Sequence, residues 1–164
     1  MDKLKLRSEV LSTVNQALCN ADSEQSQTSK TQVSEEVVIA ELEIDSLELI
    51  ALTEVLERKF NLGYIEVENL KNLTVGQLCD KIVYSNLRQE VKKNLLKLLH
   101  KMDEHTDYSG VYDEERIFWD HGFDSMDIQD LTLKIEDEFG VDLAGFYLGD
   151  YTFGEVVDLI AERL

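Results

Sequence analysis

Two short runs in this chain set a carboxylate beside a hydroxyl where chemistry could be done. In W-D-H-G-F-D-S-M-D-I-Q-D-L, Trp119 to Leu131, Asp124 precedes Ser125 after a glycine turn; in E-L-E-I-D-S-L-E-L-I-A-L, Glu41 to Leu52, Asp45 precedes Ser46. A serine hydroxyl is either a nucleophile activated by a neighbouring base or an attachment point for a group that another enzyme transfers. The first use finds little support. His100, His105 and His121 lie in loop-flanking or motif-adjacent positions, and no H-E-x-x-H, G-x-S-x-G, phosphate-binding loop or dinucleotide fingerprint is present. Taken singly, each Asp-Ser pair is accounted for by a helix N-terminus. Asp45 or Asp124 would be the N-cap, and Glu48 or Asp127 would reciprocate three residues later in a capping box.

The elements that position these pairs occur twice. Met1 to Cys19 carries Leu4, Leu11, Val14 and Leu18 on roughly one face, and the polar stretch Asn20 to Ser34 reads as a mobile loop. Ser46 to Phe60 repeats Leu49, Leu52, Leu56 and Phe60 at helical spacing, Asn61-Leu62-Gly63 ends that helix, and another is expected from about Thr74 to Tyr84. The second half follows the same order. Leu87 to Met102 is helical, Asp103 to Asp124 is a long loop, and Ser125 to Phe139 is a helix with Ile128, Leu131, Ile135 and Phe139 on one face. Gly140 stops that helix, and Thr152 to Leu164 is the last. Ser125 follows Ser46 by 79 residues, and Phe60 and Phe139 each lie 14 after their serine. The pattern predicts an all-α chain of two consecutive four-helix units, residues 1–86 and 87–164, each with three main helices and one short one. Between them Val83-Tyr84-Ser85-Asn86-Leu87 offers no Gly- or Pro-rich linker, and Asn86 with Gln89 is expected to cap a new helix. The domains are expected nearly to abut, with restricted relative motion.

Charge narrows the partners. With 34 acidic and 16 basic residues the net charge is −18, which opposes binding to nucleic acid or anionic lipid and favours basic protein surfaces. No stretch has the length and apolarity of a membrane span or the pattern of a signal peptide, so a soluble cytoplasmic protein without membrane insertion is expected. A monomer is expected as well. Cys19 and Cys79 have no metal-ligand spacing and are expected as small buried hydrophobes. A calcium-binding loop is rejected: the nearest stretch, from Asp103 to Glu114, has His105 at the third place and Tyr108 where glycine is required. Met1 opens one helix and Leu164 closes another, so the chain is expected to be complete.

The pattern L-G-x-D-S-[LM], opening a 15-residue amphipathic helix with acidic outer positions, after a long loop and before a helix that starts with Thr, resembles the acyl carrier protein family. The resemblance covers nearly the whole chain, twice. It implies two small helical carrier bundles without catalytic activity. It also implies covalent 4′-phosphopantetheine on Ser46 and Ser125, whose thiol holds acyl intermediates of a fatty acid, polyketide or related pathway as thioesters. Asp before the serine is similar to acyl carriers rather than to peptidyl carriers. Partners implied are a phosphopantetheinyl transferase and ketosynthase, acyltransferase or acyl ligase enzymes with basic patches. The residues implied for docking are Asp45, Leu47 and Glu48 in the first copy and Asp124, Met126, Asp127 and Asp130 in the second. A first turn of helix around the serine is expected to offer unpaired N–H groups and a positive dipole end to the phosphodiester.

Each copy departs from the family pattern once. The first keeps Leu42 but has Glu43 at the glycine position, and the second keeps Gly122 but has His121 at the leucine position. If the glycine needs positive φ, Glu43 forces a different loop. Both serines are expected to be modified. The alternative is a degenerate carrier-like repeat serving as a docking scaffold.

Overall fold

The computed structural model describes residues 3–21, 33–42, 44–63, 65, 67–102 and 114–164, with the side chains of 18–21, 68 and 69 also left aside. Residues 22–32 of the loop expected from Asn20 to Ser34, the first half of the loop expected from Asp103 to Asp124, with His105, and Glu43 thus lie outside the described residues, while Asn20 belongs to the first helix. The chain is mostly helical, and no strand occurs among the described residues. It divides into two compact units, Met1–Asn86 and Leu87–Leu164.

The first unit contains α1 (Lys3–Ala21), α2 (Ser46–Phe60) and the four-residue α3 (Val67–Leu70), and is completed by the first part of α4 (Val75–Met102). A 3-10 turn, Ile39–Leu42, leads into α2. The spacing of Leu49, Leu52, Leu56 and Phe60 puts all four on one face of α2, and all four are buried with Val10 and Val14 of α1 and with Leu78, Cys79 and Ile82 of α4. Asn61 ends α2 in the left-handed conformation, φ 51°, with its N–H on the Glu57 carbonyl. An asparagine tolerates that region better than other residues with a Cβ.

In the second unit the later part of α4 takes the place of α1, followed by the 3-10 turn Phe118–His121, α5 (Ser125–Phe139), a 3-10 turn at Leu148–Asp150 and α6 (Phe153–Ala161). Its core runs through Val91, Leu95 and Leu99 of α4, Ile128, Leu131 and Ile135 of α5, and Val156, Val157 and Ile160 of α6. Phe118 sits at the centre, edge-on to Phe123 at 5.5 Å and to Phe153 at 6.3 Å between ring centroids. Phe139, expected on the core face, is only half-buried. Gly140 closes α5 at φ 67°.

One expectation is corrected. Tyr84 does not end a helix and Asn86 does not cap a new one, because α4 continues unbroken for 28 residues across the unit boundary. The Asn86 amide instead donates to the Phe60 carbonyl at the end of α2, 2.8 Å away. No proline or glycine lies between Gly76 and Met102 to stop the helix, and Asn costs a helix interior only a few tenths of a kcal/mol, roughly up to 0.7.

The same long-range bonds tie each loop to the last helix of its unit. Val38 bridges Thr74 in the first unit and Ile117 bridges Thr152 in the second. Thr74 and Gln77 cap each other reciprocally, as do Thr152 and Glu155.

Candidate functional site

Ser46 and Ser125 are each the first residue of their helix, and both are exposed. The preceding aspartates have extended backbones, so their carboxylates turn back over the helix end. Asp45 Oδ1 accepts from the N–H of Leu47 at 2.7 Å and of Glu48 at 2.8 Å, while Glu48 Oε2 accepts from the Asp45 N–H at 2.7 Å. Asp124 Oδ1 accepts from Met126 at 2.7 Å and Asp127 at 2.9 Å, and Asp127 returns the bond to Asp124 at 2.9 Å. Those bonds from the Asp127 and Met126 amides hold the Asp124 carboxyl below its usual range.

Both capping boxes therefore form, and they revise the expected electrostatics. The second and third amides of each helix already serve an aspartate, so they are not open to a phosphodiester on the serine. What the geometry supplies is exposure and direction. Leu47 and Met126, one residue on, are each 75 % exposed, so every serine is flanked by a capped carboxylate on one side and a solvent-facing apolar side chain on the other.

The approach to the serine is built from a 3-10 turn with one buried anchor, Ile39 or Phe118. Gly122 closes the second turn at φ 85°, giving its N–H to the carbonyls of Phe118 and Trp119. That conformation is the reason for a glycine there. The counterpart Glu43 lies outside the described residues, so the shape of the first turn at that point does too. His121 and Leu42, at matching places, are both half-buried.

Sequence reasoning missed what holds these loops. Arg7 of α1 bonds Glu35 of the loop, with Nη1 2.9 Å from Oε1, and Asp80 of α4, with Nε 2.9 Å from Oδ1. Arg88 of α4 repeats this with Glu114 at 2.7 Å and Asp158 of α6 at 2.6 Å, and Lys92 adds a further ion pair to Glu114. The guanidinium of Arg7 holds the Glu35 carboxyl below its usual range, and Arg88 with Lys92 does the same to Glu114. The glutamate carbonyls also receive the N–H of Gly76 at 2.9 Å and of Gly154 at 3.0 Å. A Cβ on either glycine would come to 3.1 or 3.0 Å from that carbonyl oxygen, so a larger residue would push the loop away. The signal was present as offsets of 81, 79 and 78 residues between the paired Arg, Glu and Asp positions, close to the 79 between the serines.

The remaining docking candidates are brought to the outer surface of their helices. Asp130 is exposed but forms an ion pair with Lys134 one turn on, which offsets its charge. Glu54, Ile50, Ala51 and Val55 are exposed on α2, and Leu133 is 65 % exposed on α5. Cys79 is fully buried, and burial pushes its thiol pKa up to about 11, which removes thiolate reactivity near neutrality. Among the described residues no group of three His, Cys, Asp or Glu could hold a metal ion, and no helix is long and apolar enough to cross a membrane.

No protein family, characterised protein or solved structure matches the chain. Its chemistry is therefore read from the duplicated geometry itself.

Proposed function

We propose that the chain is a tandem acyl carrier protein built of two carrier-type helical bundles, with one covalent 4′-phosphopantetheine arm on Ser46 and one on Ser125. The observation that carries this reading is the twofold occurrence of an exposed serine at the first helical position, held between a capped aspartate and a bare apolar side chain. When attached, the arm supplies a flexible thiol that holds an acyl group as a thioester. The chain's own residues present the hydroxyl. Asp45 and Asp124 fix the first turn of the helix so that the serine points to solvent, and the arginine clamps fix the loop that leads into it.

The fit is acceptable without help from helix-terminal amides. A phosphodiester here would lie near two carboxylates of its own capping box, but all of these groups are in or near water, where like charges about 4 Å apart cost only about 1 kcal/mol. Leu47 and Met126 would enter apolar hollows on partner enzymes while Glu48, Asp127 and Asp130 meet basic groups around them, which sets orientation and encounter rate. The partners are a phosphopantetheinyl transferase and the ketosynthase, acyltransferase or acyl ligase enzymes of a fatty acid, polyketide or related pathway. A monomeric, cytoplasmic protein that performs no catalysis and binds neither nucleic acid nor membrane completes the reading. Two tethered carriers raise the local concentration of loaded arms at a shared enzyme.

Intact mass spectrometry after treatment with a phosphopantetheinyl transferase and coenzyme A tests it. Two arms are expected on the native chain, one on Ser46→Ala or Ser125→Ala, and none on the double variant. No mass gain on any of these proteins would overturn the carrier reading and leave a docking scaffold.

A further inference from the structure

The second unit carries an aromatic pair, Trp119 and Tyr147, where the first has Ala40 and Asn69 at matching positions in sequence. Trp119 and Tyr147 are 41 % and 40 % exposed, with ring centroids 6.5 Å apart and planes tilted by 45°. They close over Gly149, which is buried and does not use positive φ, so its lack of a side chain serves space rather than conformation. A Cβ there would fall 2.6 Å from Tyr147 Cε1, 2.9 Å from Trp119 Nε1 and 3.1 Å from Ile128 Cδ1. Three side chains thus converge on one point. Ile128 follows Ser125 by three residues, about 4.5 Å along the helix, so the pair gathers around a residue of the first turn that Ser125 opens.

The core of the same unit contains Phe118, Phe123 and Phe153, which are 0 %, 8 % and 0 % exposed. The first unit has Ile39, Ile44 and Val75 at those places, and Ala40, Asn69 and Lys71 where the second has Trp119, Tyr147 and Gly149. Exposed carboxylates adjoin the pair in the chain, Asp120 next to Trp119 and Asp150 next to Gly149, with Asp124 beside Ser125. An anionic group would be repelled there and an uncharged one would not.

We infer that Trp119 and Tyr147 form an apolar platform that receives the uncharged acyl end of the arm on Ser125 and discriminates against carboxylated acyl groups, a platform whose two aromatic positions are Ala40 and Asn69 in the unit of Ser46. The inference rests on the carrier reading. Flat aromatic faces bury much apolar area at low cost in side-chain entropy, and a long flexible arm can lay its cargo on an exposed surface of the same unit. Gly149 is the residue that lets the two rings meet over Ile128.

Trp119 is the chain's one tryptophan, so its fluorescence reports on this surface alone. The full-length Ser46→Ala and Ser125→Ala proteins are loaded by a phosphopantetheinyl transferase with octanoyl- or malonyl-coenzyme A, and loading is verified by intact mass. Octanoyl on Ser125 is expected to shift the Trp119 emission to the blue and protect it from acrylamide. Malonyl on Ser125, an unacylated arm on Ser125 and octanoyl on Ser46 are expected to leave it unchanged, and Gly149→Ala, by parting the rings, to reduce the octanoyl response. Verified octanoyl loading on Ser125 without a Trp119 response would overturn the platform and assign the pair to protein docking, with the carrier reading intact. An equal response to malonyl would overturn the selectivity, and an equal response from Ser46 would overturn the assignment to Ser125. A chain that gains no mass at Ser125 overturns the carrier reading and the platform with it.

Discussion

The two units use the same hydrogen-bonded frame and fill it differently. In both, an arginine on the first helix joins a loop glutamate to an aspartate on the last helix, and an Asp-capped serine opens the middle helix. At matching places the first unit has buried Ile39 and Val75 and half-buried Ile44, and the second has Phe118, Phe123 and Phe153, all buried. Polar groups at fixed places need partners in fixed directions, whereas apolar volume can be supplied by any side chains that fill it. A duplicated frame can therefore keep its serine geometry while its core and surface diverge.

The sharpest test of that contrast lies in the core. Phe118→Ala is expected to destabilise the second unit by about 3–5 kcal/mol, because the ring is fully buried against two others, and Ile39→Ala to cost the first unit about 2–5 kcal/mol. Denaturant unfolding gives the totals, and hydrogen exchange assigns each loss to α5 or α2. A smaller loss for Phe118→Ala than for Ile39→Ala would break the idea that the second unit rests on its aromatic cluster.

Next come the clamps. Arg88→Gln removes a half-buried cation that serves Glu114 and Asp158, for an expected loss of about 1–2 kcal/mol, between the values for exposed and buried pairs. Arg7→Gln is expected to lose less, since its partners are the more exposed. Lys92→Leu sharpens the point by giving the second unit the residue the first has at Leu11; it should leave Arg88 in place and mobilise residues 114–117 only slightly in hydrogen exchange. A larger loss from Lys92→Leu than from Arg88→Gln would show the clamp to be centred on the wrong residue.

Acid should act on the same contacts. Glu35, Glu114 and Asp124 all have carboxyls held low in the folded chain. The unfolded chain then binds more protons as pH falls below about 4, the ordinary carboxylate value, so the stabilisation present above that pH is lost on further acidification. Stability measured from pH 7 to 2.5 should fall in that window, with a shallower fall in Arg88→Gln, which has already given up the larger of the two pairings of Glu114 while Lys92 keeps the other. An unchanged slope in that variant would detach the Arg88–Glu114 pairing from the acid response.

The smallest effect expected concerns surface charge. The first unit holds 15 acidic and 8 basic residues, net −7, and the second 19 and 8, net −11. On α2, Ala51 and Arg58 interrupt the acidic face that α5 continues with Asp127, Asp130, Asp137 and Glu138, although Lys134 offsets Asp130. Single exposed pairs contribute only about 0.2–1 kcal/mol, so, on the carrier proposal, the difference should emerge as a steeper salt dependence of phosphopantetheinyl transfer to Ser125 than to Ser46, flattened by Asp130→Lys. Equal salt slopes would remove charge as a distinction between the units.

Much of this was legible in the chain because it depends on neighbours in sequence. Helical spacing of Leu49, Leu52 and Leu56, the cap signal Asp-Ser-x-Glu or Asp-Ser-x-Asp, and the left-handed stop at Asn61 or Gly140 are local properties, and a repeat at 79 residues made each visible twice. The helix break expected near Asn86 was also a local inference, and it failed because that amide's partner, the Phe60 carbonyl, lies 26 residues away. Only tertiary structure could join Arg7 to Glu35 and Asp80 across 28 and 73 residues. It alone brought Trp119, Tyr147 and Ile128 together over Gly149. Periodicity and capping reach about four residues along a chain, whereas a side chain's choice among distant partners is decided by which elements pack together and how closely.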